Sequence, residues 1–421
     1  MRRLLGVTLA VAMLATAAAS AAPDKADVRF ATFNASLNRS AAGLLTTQLS
    51  NPGVDDQFRR QAKNVAEVIQ RIRPDVLLIN EFDPLQNGDL GVGAGPANLF
   101  RDNFLGASQN GAAPIEYPYT FIAPSNTGVT TGKDLNNNGV AVTTPGAPGY
   151  GDDAFGFGAF PGQFGMVVYS RYPIVYDDVR TFRLFKWKDM PGNLIPTPFY
   201  SPDEVELLRL SSKSHWDVPI RIGKKTVHFL VSHPTPPVFD GPEDRNGRRN
   251  FDEIRFWADY ITPGKSGYVY DDEGQYGGLK PGELFVIAGD QNSDPLDGDS
   301  IPGAIQQLLD HPLVNTKHTP ASAGAIEAAT LQGGANTTHR SDPQFDTADF
   351  SDIAPGNLHA DYVLPRTSLR LVDAGVFWPL RADPLFRLTG VFDFARWGAV
   401  GGFPTSDHRS VWIDVGVPAF G

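Results

Sequence analysis

Hydrophobic residues near the N-terminal end of the chain follow first a strand pattern, then a helix pattern, then a strand pattern again. Residues 28–34 alternate and are rich in β-formers, which predicts a strand. The next apolar residues recur at steps of three and four and predict a helix face that Pro74 terminates. The residues on this face are Phe58, Ala62, Val65, Ile69 and Ile72. A short apolar run at 76–80 predicts a buried strand, and the whole order indicates helices packed on sheets.

The rest of the chain continues with strand patterns separated by long polar segments. Further strands are predicted at 119–123, 165–170, 179–185, 218–222, 226–232, 284–288, 362–364, 369–372 and 411–415, and a helix at 249–261. The segment 126–162 is rich in glycine, asparagine and proline, and strand patterns resume directly after it. The segment 234–250 mixes charges and has four prolines, and 316–356 has weak periodicity. We therefore expect one domain over residues 22–421, with long loop insertions at about 126–162, 234–250 and 316–356.

The first residues have the layout of a secretory signal peptide. Arg2 and Arg3 precede an apolar run at 4–19, and small residues at 19–21 offer a cleavage site. A membrane anchor is the alternative, but the run is short for a bilayer span and no basic cluster follows it. The sequence therefore predicts a signal peptide at 1–21 and a protein of the periplasm or the extracellular space, not an integral membrane protein and without a stable protein partner.

Composition narrows the classes of chemistry. The chain has no cysteine, which excludes disulfides, thiolate zinc sites and cysteine nucleophiles. Its formal net charge is −11, so the protein exerts no long-range attraction on nucleic acid. A nuclease is still allowed, because bound divalent cations would reverse the field at the site.

Several apolar strands end directly in residues that can titrate or bind a metal. The residues at these strand ends are Asn34, Glu81, His233, Asp290 and Asn292. A strand end holds a polar group on a rigid sheet and leaves it exposed in a crevice. Each position alone has a structural alternative, such as a capped turn or a histidine with satisfied hydrogen bonds. Their repetition in one chain favours a functional site.

Two further positions extend this set. Asp407 and His408 are adjacent just before the last strand, and they could supply a hard-cation ligand and an acid–base group. Asp361 begins a predicted strand and could orient an imidazole. A surface turn and a simple strand-entry residue are the respective alternatives.

The order of these motifs resembles the endonuclease/exonuclease/phosphatase superfamily, which has the deoxyribonuclease I-like fold. The resemblance covers roughly Val28 to Val417 and implies an α+β, four-layer α/β/β/α sandwich in which two mixed β-sheets pack face to face. The matching segments are Asn34 in the first strand, Glu81 after Pro-Asp-Val-Leu-Leu-Ile-Asn, Ser170-Arg171-Tyr172-Pro173-Ile174, His233 after a strand, Gly289-Asp290-Gln291-Asn292, Asp361-Tyr362-Val363-Leu364 and Ser406-Asp407-His408.

The resemblance also implies a role for each residue. Glu81 would be the main ligand of a divalent cation, with Asn34 and Asp407 assisting. The catalytic residues would be His233, Asp290, Asn292, Asp361 and His408: Asp290 would activate the attacking water, Asn292 would contact the phosphate or help to hold the cation, and Asp361 would orient His408. Carboxylate and amide ligands favour Mg²⁺, Mn²⁺ or Ca²⁺ over zinc.

These features predict a secreted, metal-dependent phosphoesterase that hydrolyses phosphate mono- or diesters by in-line attack of an activated water. Its substrate would be a small molecule, a lipid headgroup or a nucleic acid. The alternatives are an extracellular nuclease and a catalytically inactive binding module on the same fold.

Three secondary features accompany the main set. Arg249 is a candidate for binding a substrate phosphate, although a solvated helix start is the stronger interpretation. Asp134, Asn136 and Asn138 match the first half of a calcium loop, but the expected glutamate is replaced by Pro145, so a structural Ca²⁺ site would need distant ligands. A glycine-rich segment carries aromatic residues that could form a rim for a base or lipid, or simply pack on the domain; they are Phe155, Phe157, Phe160 and Phe164.

Overall fold

The computed structural model describes residues 25–84 and 95–418, so the predicted signal peptide lies outside the described residues. The strands are β1 Lys25–Leu37, β2 Val76–Phe82, β3 Tyr119–Phe121, β4 Met166–Ser170, β5 Arg180–Thr181, β6 His215–Ile222, β7 Lys225–Ser232, β8 Leu284–Asp290, β9 Ala348–Asp349, β10 Asn357–Leu358, β11 Asp361–Pro365, β12 Arg370–Val376 and β13 Val411–Pro418. The helices are α1 Leu44–Leu49, α2 Gln57–Ile72, α3 Pro96–Phe100, α4 Pro202–Leu207, α5 Arg245–Ile261, α6 Gln306–Leu309, α7 Ala323–Gln332, α8 Phe386–Thr389 and α9 Phe394–Trp397.

Most strands join one of two mixed sheets. The first sheet has the order β12-β13-β1-β2-β4-β3, and the second has the order β11-β8-β7-β6-β5. Each contains one parallel pair, β1 with β2 and β7 with β8, among antiparallel neighbours. The parallel pairs are joined through α2 and α5, as parallel strands require a crossover connection.

Three hydrophobic clusters define four layers. One cluster lies between the sheets and joins residues such as Phe30 of the first sheet with Phe229 of the second. A second packs α2 on the outer face of the first sheet, and a third packs α5 on the outer face of the second. This arrangement confirms the predicted α/β/β/α sandwich. The part of the chain that is described contains no helix with the length and apolarity that crossing a bilayer demands.

The structure corrects one predicted strand and refines the insertions. The strand expected at 179–185 is reduced to Arg180–Thr181, because Phe182 and Phe185 turn into the aromatic cluster around Phe256 on α5. Tertiary packing therefore overrides β-propensity there. The insertion expected at 234–250 already contains the start of α5, and the one at 316–356 contains α7 and β9.

The 316–356 insertion contains a buried carboxyl group with an unusual pKa. Asp346 is 2% exposed. Burial, followed by the negative charges of Asp294, Asp297 and Asp342, raises the pKa of Asp346 from 3.8 to about 8. The folded state therefore holds a proton that the unfolded chain releases at neutral pH.

Replacing Asp346 with asparagine should make the protein more stable in mild alkali. The raised pKa favours the protonated folded state, so its stabilising contribution is complete below the unfolded pKa of 3.8 and is lost as the pH rises through about 8. Asp346→Asn is neutral throughout, and its melting temperature should exceed that of the wild type by several degrees at pH 9 but not at pH 4. The exposed Asp373→Asn is the matched control; equal pH dependence of wild type and Asp346→Asn would contradict this account.

Candidate active site

Four of the candidate residues lie on, or directly continue, the sheet faces that look toward the other sheet. Side chains on a strand alternate between faces, so a residue two positions beyond a core residue points the same way. Asn34, His233, Asp290 and Asp361 all share their parity with residues of the intersheet core. The polar cluster is therefore the continuation of the hydrophobic core at one end of the sandwich.

A continuous series of contacts joins the residues expected to bind metal to those expected to move protons. Nδ2 of Asn34 donates to Oε1 of Glu81 at 3.1 Å and to Oδ2 of Asp290 at 3.0 Å. The same Oδ2 lies 3.4 Å from Nε2 of His233 and 3.6 Å from Nε2 of His408. Side chains from three distant segments thus meet at the Asp290 carboxylate, and Asn34 connects that carboxylate to Glu81 on a fourth.

The remaining catalytic candidates belong to the same group. Nδ1 of His408 lies 2.8 Å from Oδ2 of Asp361, which is fully buried and pairs in register with Asp290. The backbone N–H of Asn292 donates to Oδ1 of Asp290 at 2.9 Å. Asn292 also donates through its amide to a backbone carbonyl of the loop after β7. The carboxylate of Asp361 therefore holds the Nδ1 side of the His408 ring.

Unusual backbone geometry marks the strand ends. Glu81 has φ 59° and Asn292 has φ 51°, values that non-glycine residues seldom adopt. Gly289 has φ 149°, and a Cβ there would lie 2.0 Å from the carbonyl oxygen of Ser232. Such positions cost of order 1–3 kcal/mol each and cluster at functional sites.

The carboxylates at one side of the site concentrate negative charge around Glu81. Burial and then the charge of Asp407 raise the pKa of Glu81, while the hydrogen bond from Asn34 opposes the shift. Asn38, which the sequence did not suggest, donates to Oε2 of Glu81 at 2.6 Å. Facing carboxylates held by amides are the donor set that a hard divalent cation prefers, so the residues present fit such an ion.

The other side of the site holds groups whose pKa values are pushed apart. Burial, assisted by Asp361, raises the pKa of Asp290 to about 6. Burial lowers the pKa of His408, but the charges of Asp361 and Asp290 outweigh it and raise that pKa well above 6.5. Burial, with Lys213 and His408, lowers the pKa of His233 well below 6.5. At neutral pH, His408 is therefore a cation and His233 is neutral.

Ligand atoms of Asp290, Asp361 and His408 all lie within 4.8 Å of one another, a spacing that could hold a metal. Nδ1 of His408 is engaged by Asp361, and the ring is protonated, which disfavours coordination by its nitrogens. The geometry therefore favours proton transfer at these three residues and cation binding near Glu81.

Two residues that sequence reasoning missed flank this cluster. Lys213 is 6% exposed. Burial lowers the pKa of its side chain, although the negative charges of Glu253, Glu81 and Asp290 oppose this shift. Glu253 on α5 accepts the N–H groups of Ser212 and Thr235, each at 2.6 Å, and so fixes the loops before β6 and after β7. Neither follows an apolar strand, and no local pattern marks them.

The 316–356 insertion packs against His408 and its partner Asp361. The N–H of Asp349 donates to the carbonyl of Asp407 at 2.7 Å, and Ala348 forms a β-bridge with His408. Oγ1 of Thr347 donates to Oδ2 of Asp361 at 2.9 Å. The ring of Phe350 lies edge-on to His408 at 5.3 Å. The insertion is thus part of the site's framework.

The side chain of Arg249 is held by hydrogen bonds to the backbone of the protein. Its guanidinium donates to the carbonyl oxygens of Leu210, Phe155 and Arg209 at 2.6–2.9 Å. These bonds join the start of α5 to two loops and occupy Nε and one terminal nitrogen. A phosphate-binding role for Arg249 stays a prediction that these contacts do not favour.

The expected calcium loop is a hydrogen-bonded turn. The carboxylate of Asp134 accepts the N–H groups of Asn138 and Gly139, and the amide oxygen of Asn136 also accepts the N–H of Asn138. Asn138 in turn accepts from Val140. These are the contacts of an asparagine-rich turn, and structural Ca²⁺ binding stays a prediction without support from them.

The two stacked mixed sheets, with polar residues gathered at one end, define a deoxyribonuclease I-like sandwich. The model of the endonuclease/exonuclease/phosphatase family matches residues 31–408, and the chain belongs to this family. The matched range includes every residue of the cluster described above.

The chain is also similar to several solved structures. An endonuclease/exonuclease/phosphatase from Beutenbergia cavernae has 18% identity and a TM-score of 0.46, with 92% of this chain and 71% of that chain covered. Sphingomyelinase C from Streptomyces griseocarneus has 13% identity and a TM-score of 0.41, covering 92% and 99%. A mutant beta toxin from Staphylococcus aureus with bound magnesium ions has 14% identity and a TM-score of 0.41, also covering 92% and 99%. No relative among proteins with curated functions matches the sequence.

Proposed function

We propose that this protein is an exported, divalent-cation-dependent hydrolase of phosphate mono- or diesters. The observation that carries the proposal is the series of contacts from Glu81 through Asn34 to Asp290 and the two histidines. It joins carboxylates suited to a cation with proton-transfer groups whose pKa values differ, so that they can act as acid and base at the same pH. Hydrolysis of a phosphate ester needs both within one pocket.

Glu81, Asn34 and Asp407 would hold the cation, which we expect to be Mg²⁺, with Mn²⁺ or Ca²⁺ as substitutes. The bound ion would neutralise charge on the phosphate oxygens. The hydrogen bonds from Asn34 and Asn38 hold the Glu81 carboxylate in one orientation, which reduces the reorganisation needed for binding.

Asp290 is placed to take a proton from the attacking water. Its pKa of about 6 leaves it ionised at neutral pH yet basic enough to accept a proton. His408, kept protonated by Asp361, would donate a hydrogen bond to the phosphate or a proton to the leaving oxygen. Neutral His233 contacts the same carboxylate and would relay or accept a proton; the acid and base roles of the two histidines are left open.

Lys213 and Asn292 would contact the phosphate. Lys213 is 6% exposed and interacts electrostatically with Glu81 and Asp290, and Asn292 lies in the turn after β8 with φ 51°. Lys213→Met should raise KM about tenfold or more with a smaller fall in kcat, because a charge-assisted hydrogen bond to the substrate is lost. The exposed Lys224→Met should leave both constants unchanged, and an unchanged KM for Lys213→Met would remove this residue from the site.

Two alternatives remain for the same fold. An extracellular nuclease uses the same chemistry, but the net charge of −11 disfavours long DNA as the preferred substrate. An inactive binding module would be expected to have lost some catalytic side chains, whereas here Asn34 joins Glu81 to Asp290, and Asp361 contacts His408.

The direct test is hydrolysis of bis(p-nitrophenyl) phosphate, p-nitrophenyl phosphate and plasmid DNA by the purified protein, with Mg²⁺, Mn²⁺, Ca²⁺ or a chelator. We expect cation-dependent release of p-nitrophenolate, and the preferred ester separates a monoesterase from a diesterase. Rapid nicking of the plasmid with little action on the small esters would favour the nuclease. Inactivity on every ester with every cation would refute the proposal.

A further inference from the structure

A loop with alternating glycine and phenylalanine residues spans one rim of the active site. At one end Gly156 packs against the backbone of Ser212, where a Cβ would lie 1.8 Å from the carbonyl oxygen, directly before Lys213. At the other end the N–H of Phe164 donates to Oδ1 of Asp83 at 3.0 Å, two residues after Glu81. The segment 155–164, called here the rim loop, therefore runs between the ammonium and the carboxylate sides of the pocket.

The backbone of the rim loop is held firmly. Its carbonyl at Gly156 accepts the N–H of Gly128 at 2.8 Å, and the N–H of Gly162 donates to Thr127 at 2.9 Å. The side chain of Gln163 accepts the N–H of Ala159 at 2.6 Å and donates to the carbonyl of Arg39 at 2.7 Å. Side chains on this loop are consequently presented in fixed positions.

One phenylalanine of the rim loop faces solvent. Phe157 is 64% exposed, although its ring packs over Gly151, where a Cβ would lie 2.8 Å from the ring. The ring of Phe164 lies 6.5 Å away with an interplanar angle of 32°. A single exposed aromatic residue is ordinary in itself, but Phe157 and the half-buried Phe164 lie on a loop that is anchored next to Lys213 at one end and two residues from Glu81 at the other.

We propose that Phe157 and Phe164 form a stacking platform for a planar aromatic group, such as a nucleobase, that is esterified to the substrate phosphate. The proposal rests on the proposed function, since the pocket between Lys213 and Glu81 must bind the phosphate. Two rings offer enough area for one planar group, whereas a membrane surface would require an apolar patch of several hundred Å². Stacking on a fixed ring tolerates different bases, because every base has a π-face.

The test compares diesters that share the p-nitrophenolate leaving group: thymidine 5′-(p-nitrophenyl phosphate), methyl p-nitrophenyl phosphate and hexyl p-nitrophenyl phosphate. We expect the wild type to favour the thymidine ester, and Phe157→Ala to lower kcat/KM for it about tenfold, mainly through KM. The methyl ester should change little, and Phe157→Tyr should keep the wild-type preference. Tyr276→Leu, which changes an exposed ring elsewhere, is the control.

The outcomes separate the platform from the proposed function. An equal loss on all three esters would indicate that the nitrophenyl ring, which all three share, lies on the platform. This result would still support the proposal that the platform stacks a planar aromatic group. A loss on the hexyl ester that matches the loss on the thymidine ester, with the methyl ester unchanged, would show generic apolar contact and overturn the aromatic preference, as would no loss on any ester. Quenching of 2-aminopurine riboside 5′-monophosphate fluorescence by wild type but not by Phe157→Ala tests the platform even if no ester is hydrolysed; equal quenching by both would overturn it.

Discussion

Asp290→Asn should lower kcat for a phosphodiester by about a thousandfold, because Asp290 is the group that we propose accepts the proton of the attacking water. Oδ2 of Asp290 is the atom at which Asn34, His233 and His408 meet. We therefore expect no neighbouring carboxylate to take over the position of this oxygen. The asparagine keeps the size of the side chain, and we expect the fold to persist. Steady-state kinetics with bis(p-nitrophenyl) phosphate and Mg²⁺ provide the measurement.

The control for this variant is Asp373→Asn, which changes an exposed carboxylate on β12 without touching the site. Thermal unfolding of both variants shows whether a fall in kcat reflects lost structure. A folded Asp290→Asn protein with a kcat within threefold of the wild type would show that the water is activated elsewhere.

Glu81→Gln should weaken divalent-cation binding at least about a hundredfold, a larger effect than the 10–100-fold that loss of a supporting contact outside the ligand set costs. Burial and the charge of Asp407 raise the pKa of Glu81 although Asn34 and His408 oppose the shift, which shows that negative charge is concentrated there. A neutral amide relieves that repulsion and removes the attraction for the ion. The apparent Mg²⁺ activation constant in the hydrolysis assay measures the effect.

Glu206→Gln, an exposed change on α4, should leave the activation constant at its wild-type value. If Glu81→Gln retains the wild-type activation constant, the cation does not bind at this end of β2. High Mg²⁺ should partly restore Glu81→Gln, since the other ligands remain.

The sequence predicts the sandwich and the convergence of its strand ends because both depend on local patterns. Alternation puts Asn34, His233 and Asp290 on the faces that build the intersheet core, so the packing of the sheets brings their ends together. The order of the motifs then separates this arrangement from isolated turns. The strand predicted at 179–185 is limited to Arg180–Thr181, because Phe182 packs on Phe256 instead of continuing the strand.

The supporting residues could not be predicted in the same way. Lys213 and Glu253 act through contacts between segments far apart in the chain, and neither continues a strand or helix pattern. Thr347 lies in an insertion of weak periodicity, yet its hydroxyl group donates to Asp361. Such hydrogen bonds depend on the folded positions of two loops at once, which a one-dimensional pattern does not encode.

Manganese binding followed by electron paramagnetic resonance tests most directly whether the pocket has a cation side and a proton side. The account predicts that wild type and His408→Asn bind Mn²⁺ with similar affinity, that Glu81→Gln loses this binding, and that only the wild type hydrolyses bis(p-nitrophenyl) phosphate at full rate. Normal Mn²⁺ binding by Glu81→Gln together with its loss in His408→Asn would place the ion among Asp290, Asp361 and His408 instead, and would contradict the account.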